Sequence, residues 1–370
     1  MRRDLRIIFA GGGTGGHVFP AIYMATFLKK HWGADCQFVG TKKGIENRKV
    51  SQAGFLVRNI WISGFRRGLY IANLLFPLKL IVSTIQSRRI LRQTKPHLVI
   101  GTGGYVAGPV LRQAVKLNIP TAIQEQNSYP GVTTRLLAPH VDLVFLAYEE
   151  SLTYFKDIKN FKLVGNPIRE NLITSRMNEA RKYFGLKKGL DTILIFGGSQ
   201  GSTHINHAVD KIISESVFKG VQIIWQTGQI DFKYYSEKYK EYTDLTICIT
   251  PFIDRMDYAY SVSNLAITRA GAMTISELSA AGLPAILIPY PFAAGNHQYK
   301  NARTIVDAGG AVLVEDNSEL ENNLKTQLLL LISKPDQISQ MAAAIRQFHK
   351  ADAMIKISDE LARLINSRTD

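Results

Sequence analysis

The feature that most constrains the fold of this chain is a short pattern that its sequence contains twice. Near the start, the apolar run LRIIFA (5–10) leads into the glycine-rich GGGTGGH (11–17) and then into a helical stretch. In the second half, TILIF (192–196) leads into GGSQGS (197–202) and a helix that begins near Thr203. A buried strand followed by a glycine loop and a helix is typical of Rossmann-like α/β domains. The sequence therefore predicts two such domains in one chain.

Further short apolar runs alternate with helical stretches in both halves. The predicted strands are CQFV (36–39), LVI (98–100), TAIQ (121–124), LVFLA (143–147), VQIIWQ (221–226), LTICIT (245–250), LAIT (265–268), AILI (285–288) and AVLV (311–314). Their connections are long enough for helical crossovers, and TISELSAAG (274–282) is one example. This alternation predicts an α/β fold with two doubly wound parallel sheets.

A Gly-Asn-Pro run in LVGNPIRE (163–170) interrupts the alternation and marks the predicted domain boundary. We expect an N-terminal domain at 1–165, a C-terminal domain at 166–340, and a helical tail at 341–370 that packs back towards the N-terminal domain. Open α/β sheets bind ligands beyond the carboxyl ends of their strands. Two sheets that face each other would therefore place two ligands across one cleft.

Three glycine-rich loops follow predicted strands, and GTGGYVAGP (101–109) is the one not yet described. Glycine lets backbone N–H groups approach an oxygen-rich ligand, and the helix that follows adds partial positive charge. Tight strand–helix packing is the alternative for any single loop, but three loops together favour phosphate binding. His17 closes the first loop, where an imidazole suits proton transfer near neutral pH. The alternative for His17 is a hydrogen bond to the loop without chemistry.

The excess positive charge of the chain lies entirely in its first half. Residues 1–165 hold 23 Lys and Arg against 8 Asp and Glu, whereas the remainder holds 22 of each, so the net charge of +15 comes from the first part. No acidic residue lies between Asn47 and Gln124. Residues 65–95 mix Arg and Lys with aliphatic side chains, which favours peripheral docking on an anionic membrane. A core helix over residues 71–85, with lysines that reach solvent, is the alternative.

Two functional classes are disfavoured by the sequence. A dinucleotide-binding dehydrogenase requires an acidic residue at the end of its second strand, but here that strand ends in Gly40 and Thr41, and Asp35 precedes it. A nucleic-acid-binding protein would interleave its basic residues with aromatic ones on a recognisable module, whereas this basic stretch is mostly aliphatic. No apolar run reaches the roughly 18–20 residues of a membrane span.

Eight motifs in a fixed order resemble one family. They are GGGTGGHVFPA (11–21), GTGGYVAGP, EQNSYPG (125–131), GNPIRE (165–170), GGSQGS, RAGAMTISEL (269–278), AAGLPAILIPYP (280–291) and HQYKNA (297–302). Together they resemble the MurG family, the bacterial peptidoglycan transferases that add N-acetylglucosamine to lipid I and give lipid II. The resemblance implies the GT-B fold, UDP-GlcNAc as donor, lipid I as acceptor, inversion at the anomeric carbon, and no cofactor. It also implies a peripheral protein on the cytoplasmic face of the bacterial inner membrane, with other cell-wall synthesis proteins as partners and a part in cell shape and division.

The resemblance also implies a set of site residues in each half. In the first half it implies contacts with the donor phosphate, the sugar or the acceptor diphosphate by Thr14, Gly15, Gly16, Gly103, Gly104, Tyr105 and Asn127. In the second half it implies Arg169 at the diphosphate, Ser199 at a phosphate, the backbone of Ile253 at the uracil, Ala272, Met273, Thr274, Ile275, Ser276 and Glu277 around the nucleotide, and Gln298 at the sugar hydroxyls. Glu277 suits the ribose diol, because a carboxylate offers two acceptor oxygens. In one departure, Gly295 and Asn296 stand where many relatives carry acidic residues.

The implied inverting transfer needs a general base and a stabilised leaving group. We expect His17 to be the base, and Glu125 is the second candidate, with an orienting hydrogen bond to its own loop as its alternative function. No Asp-x-Asp pair follows a strand, so we predict no metal site. A UDP-GlcNAc 2-epimerase shares the architecture but needs neither an acceptor site nor a lipid-docking segment.

Overall fold

The computed structural model of the 370-residue chain describes residues 4–64, 74–155, 158–218 and 220–368. The chain divides into two compact units, of which the first is Met1–Ile168 with Lys350–Asp370 and the second is Arg169–His349. The division after Ile168 falls within the Gly-Asn-Pro segment that interrupts the sequence pattern. The chain re-enters the first unit at Lys350, which is nine residues later than the expected start of the tail at 341.

Seven strands form the sheet of the first unit, and every neighbouring pair is parallel. They are β1 (Arg6–Gly11), β2 (Asp35–Gly40), β3 (Leu56–Asn59), β4 (Leu98–Gly103), β5 (Thr121–Glu125), β6 (Leu143–Leu146) and β7 (Phe161–Leu163). Their order across the sheet is β3-β2-β1-β4-β5-β6-β7. The sequence predicts all except β3 and β7. These two are short edge strands that stay partly exposed, so they carry no continuous apolar run.

Among the described residues, the connections between these strands contain five helices and one 3₁₀ turn. They are α1 (Gly15–Trp32), α2 (Ile45–Gln52), α3 (Phe76–Thr94), α4 (Gly104–Lys116), α5 (Val132–Leu137) and the 3₁₀ turn Glu149–Tyr154. Buried apolar clusters cover both faces of the sheet, and on one of them the rings of Phe9 and Phe38 stack with their centroids 5.2 Å apart. Helix α1 begins at Gly15, inside the glycine-rich motif and earlier than the helical stretch that the sequence predicts after it. Glycine is a poor helix former, but the hydroxyl of Thr102 donates to the carbonyl oxygen of His17 and holds this first turn.

The second unit repeats the plan, with six parallel strands and eight helices among its described residues. The strands are β8 (Asp191–Phe196), β9 (Val221–Gln226), β10 (Ile247–Thr250), β11 (Leu265–Thr268), β12 (Ala285–Leu287) and β13 (Ala311–Leu313). The helices are α6 (Met177–Phe184), α7 (Thr203–Ser214), α8 (Phe232–Lys238), α9 (Met256–Val262), α10 (Ala272–Ala281), α11 (His297–Asp307), α12 (Leu320–Ile332) and α13 (Pro335–Arg346), with a 3₁₀ turn at Ala294–Asn296. The strand order is β10-β9-β8-β11-β12-β13. Two parallel, doubly wound sheets confirm the predicted fold class.

The last helix of the chain belongs to the first unit. It is α14 (Ala353–Ser367), and its buried Ile357 and Leu361 join the same apolar cluster as Val164. Lys162 forms an ion pair with Glu360 of this helix at 3.4 Å, and Arg368, just after it, pairs with Asp142. The C-terminus therefore closes one face of the sheet from which the chain began.

Both sheets have one point at which the strand order reverses. It lies between β1 and β4 in the first unit and between β8 and β11 in the second. Loops that follow the strands on either side of such a point diverge, and the crevice between them is where open α/β sheets bind ligands. All three glycine loops and the RAGAM segment (269–273) follow these four strands. The fold thus brings the predicted motifs to the two places where ligand binding is expected.

Candidate functional site

His17 lies in the first turn of α1, directly beyond the first glycine loop. Its Nδ1 is 3.2 Å from the carbonyl oxygen of Gly12 and 3.2 Å from the hydroxyl of Thr14. A carbonyl oxygen only accepts hydrogen bonds, so Nδ1 carries the proton when the ring is neutral. Nε2 is then the basic nitrogen of the ring. This tautomer is the one that allows His17 to remove a proton from a ligand.

The second glycine loop packs directly against the first. A Cβ atom at Gly104 would lie 2.2 Å from the carbonyl oxygen of Gly12, and one at Gly103 would lie 2.8 Å from Cδ2 of His17. Both glycines have left-handed backbones, with φ of +77° and +100°. Only glycine fits such a close approach at such angles. The structure therefore brings Gly103, Gly104 and His17 together, as the sequence predicts for one site.

A buried carboxylate beneath the first loop was missed by sequence reasoning. Glu46, in the first turn of α2, is 1% exposed. It accepts hydrogen bonds from the N–H of Gly13 at 3.2 Å, from the N–H of Thr41 at 2.9 Å and from the Thr41 hydroxyl at 2.6 Å. In the sequence an acidic residue in a first helical turn indicates only a favourable helix-dipole contact. The tertiary approach of β1 and β2 makes Glu46 a part of the site.

Tyr105, at the start of α4, covers the same loop. A Cβ atom at Gly13 would lie 2.8 Å from Cε1 of the tyrosine ring. Burial raises the pKa of the Tyr105 phenol, and the nearby charge of Glu46 raises it further. The phenol therefore stays protonated at neutral pH and is able to donate a hydrogen bond.

Glu125, the second candidate for the base, is committed to its own loop. It is buried at the end of β5. One carboxylate oxygen accepts from the backbone N–H and the side-chain amide of Asn127, both at 3.2 Å, and the other accepts from the N–H of Gly131 at 3.1 Å. These bonds fix the turn that presents Asn127. These bonds fit the orienting function that is the alternative for Glu125.

Buried amides fix the carboxyl ends of β4 and β5, and no sequence pattern indicated them. The side-chain amide of Gln126 donates to the carbonyl oxygens of Thr102 at 3.0 Å and Gln124 at 2.8 Å. The amide of Gln124 donates to Asn166 at 2.9 Å, and Asn166 in turn donates to the carbonyl oxygen of Gln126 at 3.1 Å. A closed network of this kind holds neighbouring loops rigidly.

In the second unit, Gln226 joins the third glycine loop to the segment expected at the uracil. Its amide nitrogen donates to the carbonyl oxygen of Gly198 at 2.7 Å, and its amide oxygen accepts from the N–H of Ile253 at 3.0 Å. Because the N–H of Ile253 is used in this bond, we expect its carbonyl group to make any backbone contact with a ligand. Ser199 lies half-buried in the same loop. Sequence reasoning missed Gln226 because it stands in an otherwise apolar strand.

The third loop is as sterically constrained as the first. A Cβ atom at Gly201 would lie 2.2 Å from the carbonyl oxygen of Thr227, and Gly201 has a φ of +83°. The loop ends at Ser202, whose hydroxyl caps α7 by accepting from the N–H of Ile205. The N-terminus of α7 is therefore directed towards the same loop, as a phosphate-binding helix requires.

A second buried network ties together the loops at the carboxyl end of this sheet. Arg269, directly after β11, donates to the carboxylate of Asp316 at 2.7 Å and to the hydroxyl of Ser202 at 2.8 Å. It also donates to the carbonyl oxygen of Ile288 at 3.2 Å. Asp316 pairs with His204 at 2.9 Å through its other oxygen. Arg269 was quoted in the RAGAMTISEL motif without a function, and the geometry gives it a positioning one.

Helix α10 begins at Ala272 after Gly271, and no side-chain hydrogen bond caps this N-terminus. Ala272, Met273 and Ile275 are buried, whereas Thr274 and Ser276 are half-buried. The predicted nucleotide segment thus divides into residues that pack the helix on the sheet and residues that remain accessible to a ligand.

Glu277 and Arg169 lie close together in the second unit. The carboxylate of Glu277 is 3.6 Å from Nε of Arg169 through one oxygen and accepts from the hydroxyl of Tyr260 at 2.9 Å through the other. Both oxygens of the carboxylate are therefore oriented, one by the guanidinium and one by the phenol. The ion pair orients two side chains that were predicted to bind different parts of one nucleotide.

Gln298, in the first turn of α11, has a fixed amide orientation. Its oxygen accepts from the N–H of Tyr290 at 2.9 Å, so its NH₂ group supplies the donors for a ligand. Just before it, Gly295 and Asn296 both adopt left-handed backbones, with φ of +61° and +56°. Glycine and asparagine tolerate this conformation best. The Gly-Asn pair is therefore explained by the local turn.

Helix α3 is not the core helix that the alternative interpretation of residues 71–85 describes. Its buried positions are Ser83, Ser87, Leu91 and Thr94. Its exposed apolar side chains recur at helical spacing on the opposite face and include Leu74, just before the helix, and then Leu78, Ile81 and Ile85. Arg88, Arg89 and Arg92 continue the exposed face. Residues 65–73 of the predicted membrane segment lie outside the described residues.

Within the described ranges, no three His, Cys, Asp or Glu side chains cluster in a way that could hold a metal ion. No helix in those same ranges is both long and apolar enough to cross a membrane.

The sequence matches one glycosyltransferase family along most of its length. Residues 7–146 match the N-terminal domain of glycosyltransferase family 28, and residues 192–357 match its C-terminal domain. A protein of Christiangramia forsetii is 39% identical over the full length of both chains, and one of Flavobacterium psychrophilum is 41% identical over 98% of each. Both bear the name UDP-N-acetylglucosamine–N-acetylmuramyl-(pentapeptide) pyrophosphoryl-undecaprenol N-acetylglucosamine transferase.

Solved structures agree with this match. MurG of Acinetobacter baumannii is 28% identical, covers 97% of this chain and all of its own, and superposes with a TM-score of 0.75. A UDP-GlcNAc 2-epimerase from Neisseria meningitidis, solved with UDP-GlcNAc, has a TM-score of 0.66 at 14% identity, with 97% of this chain and 100% of its own covered. That second likeness shows a common fold alone. The chain belongs to glycosyltransferase family 28, among the N-acetylglucosamine transferases that it matches from end to end.

Proposed function

We propose that this protein transfers N-acetylglucosamine from UDP-GlcNAc to the muramoyl 4-hydroxyl of lipid I, which gives lipid II for peptidoglycan synthesis. The observation that carries the proposal is the match of 39–41% identity over 98% or more of the chain to transferases of that name. The site geometry is consistent with it, because each unit places glycine loops and a helix N-terminus at its switch point.

The second unit supplies the groups that a sugar nucleotide needs. The third glycine loop with Ser199 and the uncapped N-terminus of α10 offer N–H and hydroxyl donors to the diphosphate. Arg169 adds a positive charge, and Glu277 beside it accepts from the ribose diol. The carbonyl group of Ile253 meets the uracil, and the NH₂ group of Gln298 donates to a sugar hydroxyl.

The first unit supplies the proton acceptor. Nε2 of His17 removes the proton of the 4-hydroxyl as its oxygen attacks the anomeric carbon. The bond from that carbon to the diphosphate oxygen breaks, and its electron pair leaves with UDP. Attack from the opposite face converts the α-linked sugar into a β-linked one. Thr14 holds the imidazole, while Gly15 and Gly16 open α1 without side chains that would block the acceptor.

The acceptor is a lipid, and α3 offers a surface for its membrane. The exposed face carries Leu78, Ile81 and Ile85 followed by arginines. Apolar insertion and attraction to anionic headgroups together suffice for reversible binding without a span. We therefore place the protein peripherally on the cytoplasmic face of the bacterial inner membrane.

The transfer reaction is tested by following radiolabelled N-acetylglucosamine from UDP-GlcNAc into a short-chain lipid I analogue. We expect labelled disaccharide product, with UDP released only when the acceptor is present. The contrary result is a folded protein that makes no disaccharide but, without acceptor, releases UDP or epimerises the sugar nucleotide. The proposed transferase activity would then be wrong, and an epimerase activity would take its place.

The membrane surface is tested by sedimentation with vesicles of phosphatidylglycerol and phosphatidylethanolamine. Ile81→Asp should weaken vesicle binding by about tenfold or more, since it replaces an inserted apolar group by a charge that anionic lipid repels. Ile355→Asp is the matched control, because Ile355 is 56% exposed on α14 and Ile81 is 60% exposed on α3. Equal binding by both variants would remove α3 from the membrane contact.

A further inference from the structure

One peptide unit of the first loop is held from both sides. Its N–H, which belongs to Gly13, donates to Oε2 of Glu46 at 3.2 Å. Its carbonyl oxygen, which belongs to Gly12, lies 3.2 Å from Nδ1 of His17. The described residues contain no cis peptide bond, and in a trans peptide these two groups point in opposite directions. A single rigid plane therefore connects a buried carboxylate to the imidazole.

We propose that Glu46 is a positioning residue that sets the tautomer of His17 through the Gly12–Gly13 peptide. The inference rests on the proposed function, in which His17 is the base. A carboxylate that accepts from one end of a peptide group polarises it and strengthens its carbonyl oxygen as an acceptor. The stronger acceptor holds the proton on Nδ1, so Nε2 faces the reaction as the basic nitrogen.

The side chain of Glu46 is held by hydrogen bonds and tightly enclosed by neighbouring glycines. Both Thr41 donors fix Oε1, which leaves Oε2 directed at Gly13. Cβ atoms at Gly12, Gly40 and Gly44 would lie 2.9 Å, 2.7 Å and 2.1 Å from the nearest atom of the Glu46 side chain. Three glycines thus make room for one carboxylate beneath the loop. Stability of the loop alone would require only some hydrogen-bond acceptor. An effect on the His17 tautomer requires a carboxylate that accepts from the Gly12–Gly13 peptide.

The opposite side of the peptide is equally constrained. Gly104 approaches the carbonyl oxygen of Gly12 so closely that a Cβ atom would lie 2.2 Å from it. That contact limits how far the carbonyl group turns and keeps it directed at His17. The peptide is therefore a fixed connection between Glu46 and the imidazole.

The direct test is the nitrogen NMR spectrum of the full-length protein labelled at its histidine rings. The signal of His17, one of eight histidines, is assigned by its loss in His17→Ala. We expect wild type to show a protonated Nδ1 and an unprotonated Nε2 at a pH where the ring is neutral. Glu46→Gln should show a mixture of tautomers, because its amide cannot accept from Gly13 and from both Thr41 donors at once.

The same variant is measured in the transfer assay. Glu46→Gln should lower kcat by about 10- to 100-fold, a part of the factor that a positioned base supplies, and leave the KM for UDP-GlcNAc unchanged. Asp142→Asn is the matched control, since Asp142 also accepts from a threonine N–H and hydroxyl, at 2.8 Å each, but contacts no glycine loop. It should leave both the His17 spectrum and kcat at the wild-type values.

Three results would overturn the inference. The first is a wild-type His17 that carries its proton on Nε2, and this measurement decides the matter even if Glu46→Gln does not fold. The second is a folded Glu46→Gln with the wild-type tautomer. The third is an equal change of the His17 spectrum in Asp142→Asn. A wild type without transferase activity would instead refute the proposed function, because the tautomer is measured without substrate.

Discussion

The two units hold equivalent glycine loops with side chains of opposite character. In the first unit a buried carboxylate, Glu46, accepts from the N–H of Gly13. In the second unit a neutral amide, Gln226, donates to the carbonyl oxygen of Gly198. A negative charge beneath a loop repels an anionic ligand and stabilises the protonated form of a nearby base. A neutral donor does neither. Under the proposed function, one strand–loop–helix design serves proton removal in one unit and anion binding in the other.

The direction of these hydrogen bonds strengthens the contrast. Glu46 takes an N–H group away from the ligand side of the first loop, so the loop loses a donor for phosphate. Gln226 binds a carbonyl group, so this contact uses none of the N–H donors of the third loop. The buried charge beneath the first loop makes it less suited than the third to bind a diphosphate, a difference that the sequence alone does not show.

The largest effect that separates the two units is expected from His17→Ala. Loss of the base should lower kcat by about 10²- to 10⁴-fold, while UDP affinity, which depends on the second unit, stays the same. Transfer rates and UDP titration calorimetry on the same preparation measure both quantities. His140→Ala, at an exposed histidine of the first unit, is the control. If UDP affinity fell together with kcat, the division of tasks between the units would be wrong.

The next largest effect on kcat or UDP affinity is expected from a glycine-to-alanine substitution in one glycine loop of each unit. Gly104→Ala would press on the carbonyl oxygen of Gly12, and Gly201→Ala on that of Thr227, each from 2.2 Å. A left-handed alanine alone costs about 1–2 kcal/mol. We expect Gly104→Ala to lower kcat and Gly201→Ala to raise the Kd for UDP, each by about 10- to 100-fold, at 1.4 kcal/mol per factor of ten.

Two other glycines provide the controls for this pair. Gly54 and Gly220 have φ of +79° and +78°, and a Cβ atom at either would meet nothing within 4 Å. Their alanine variants carry the same backbone strain without the collision. They should lose stability in thermal unfolding but keep kcat and UDP affinity. Loss of UDP affinity in Gly104→Ala would contradict the comparison.

The sequence predicts the framework of both units well, for a physical reason. Central parallel strands are buried on both faces, so they appear as continuous apolar runs such as VQIIWQ, which corresponds to β9 residue for residue. Glycine clusters at the ends of such strands are also easy to recognise, because they follow directly on these apolar runs. The exposed edge strands β3 and β7 lack this pattern and were missed.

The candidate site is only half visible in the sequence. His17 and the glycines stand out because their type is unusual at their position. Glu46, Gln226 and Arg269 do not, since each is an ordinary residue for its helix, strand or loop. Their function comes from contacts between segments far apart in the chain, such as Gln226 with Ile253 and Arg269 with Asp316. Local patterns carry no information about such contacts.

A moderate effect is expected when the amide that holds the third loop is removed. Gln226→Leu deletes the bonds to Gly198 and Ile253, so the Kd for UDP should rise about tenfold, in line with roughly 1–3 kcal/mol for unpaired buried groups. Gln222→Leu is the matched control on the same strand. Its buried amide bonds to Lys187 and Thr192, away from the loop. Both variants should unfold at lower temperature, but only Gln226→Leu should bind UDP more weakly.

The smallest effect concerns Tyr105, the other group that Glu46 influences. Burial and the Glu46 charge raise the pKa of Tyr105, so the phenol remains protonated with rising pH and adds no step to the pH profile near neutrality. Tyr105→Phe removes one donor and should lower kcat only about 2- to 10-fold, as one hydrogen bond of 0.5–1.5 kcal/mol predicts. Tyr148→Phe, at another tyrosine whose pKa burial raises, should leave kcat unchanged.

The comparison of Tyr105→Phe with Glu46→Gln then decides how the buried charge acts. If the carboxylate works through the Gly12–Gly13 peptide, Tyr105→Phe keeps the His17 tautomer and loses less activity than Glu46→Gln. If Tyr105→Phe instead reproduces the full loss of kcat with an unchanged imidazole spectrum, Glu46 acts through the phenol. The site in the first unit would then still depend on the negative charge of Glu46. That charge would act on the hydrogen-bond donor Tyr105, however, and not on the base His17.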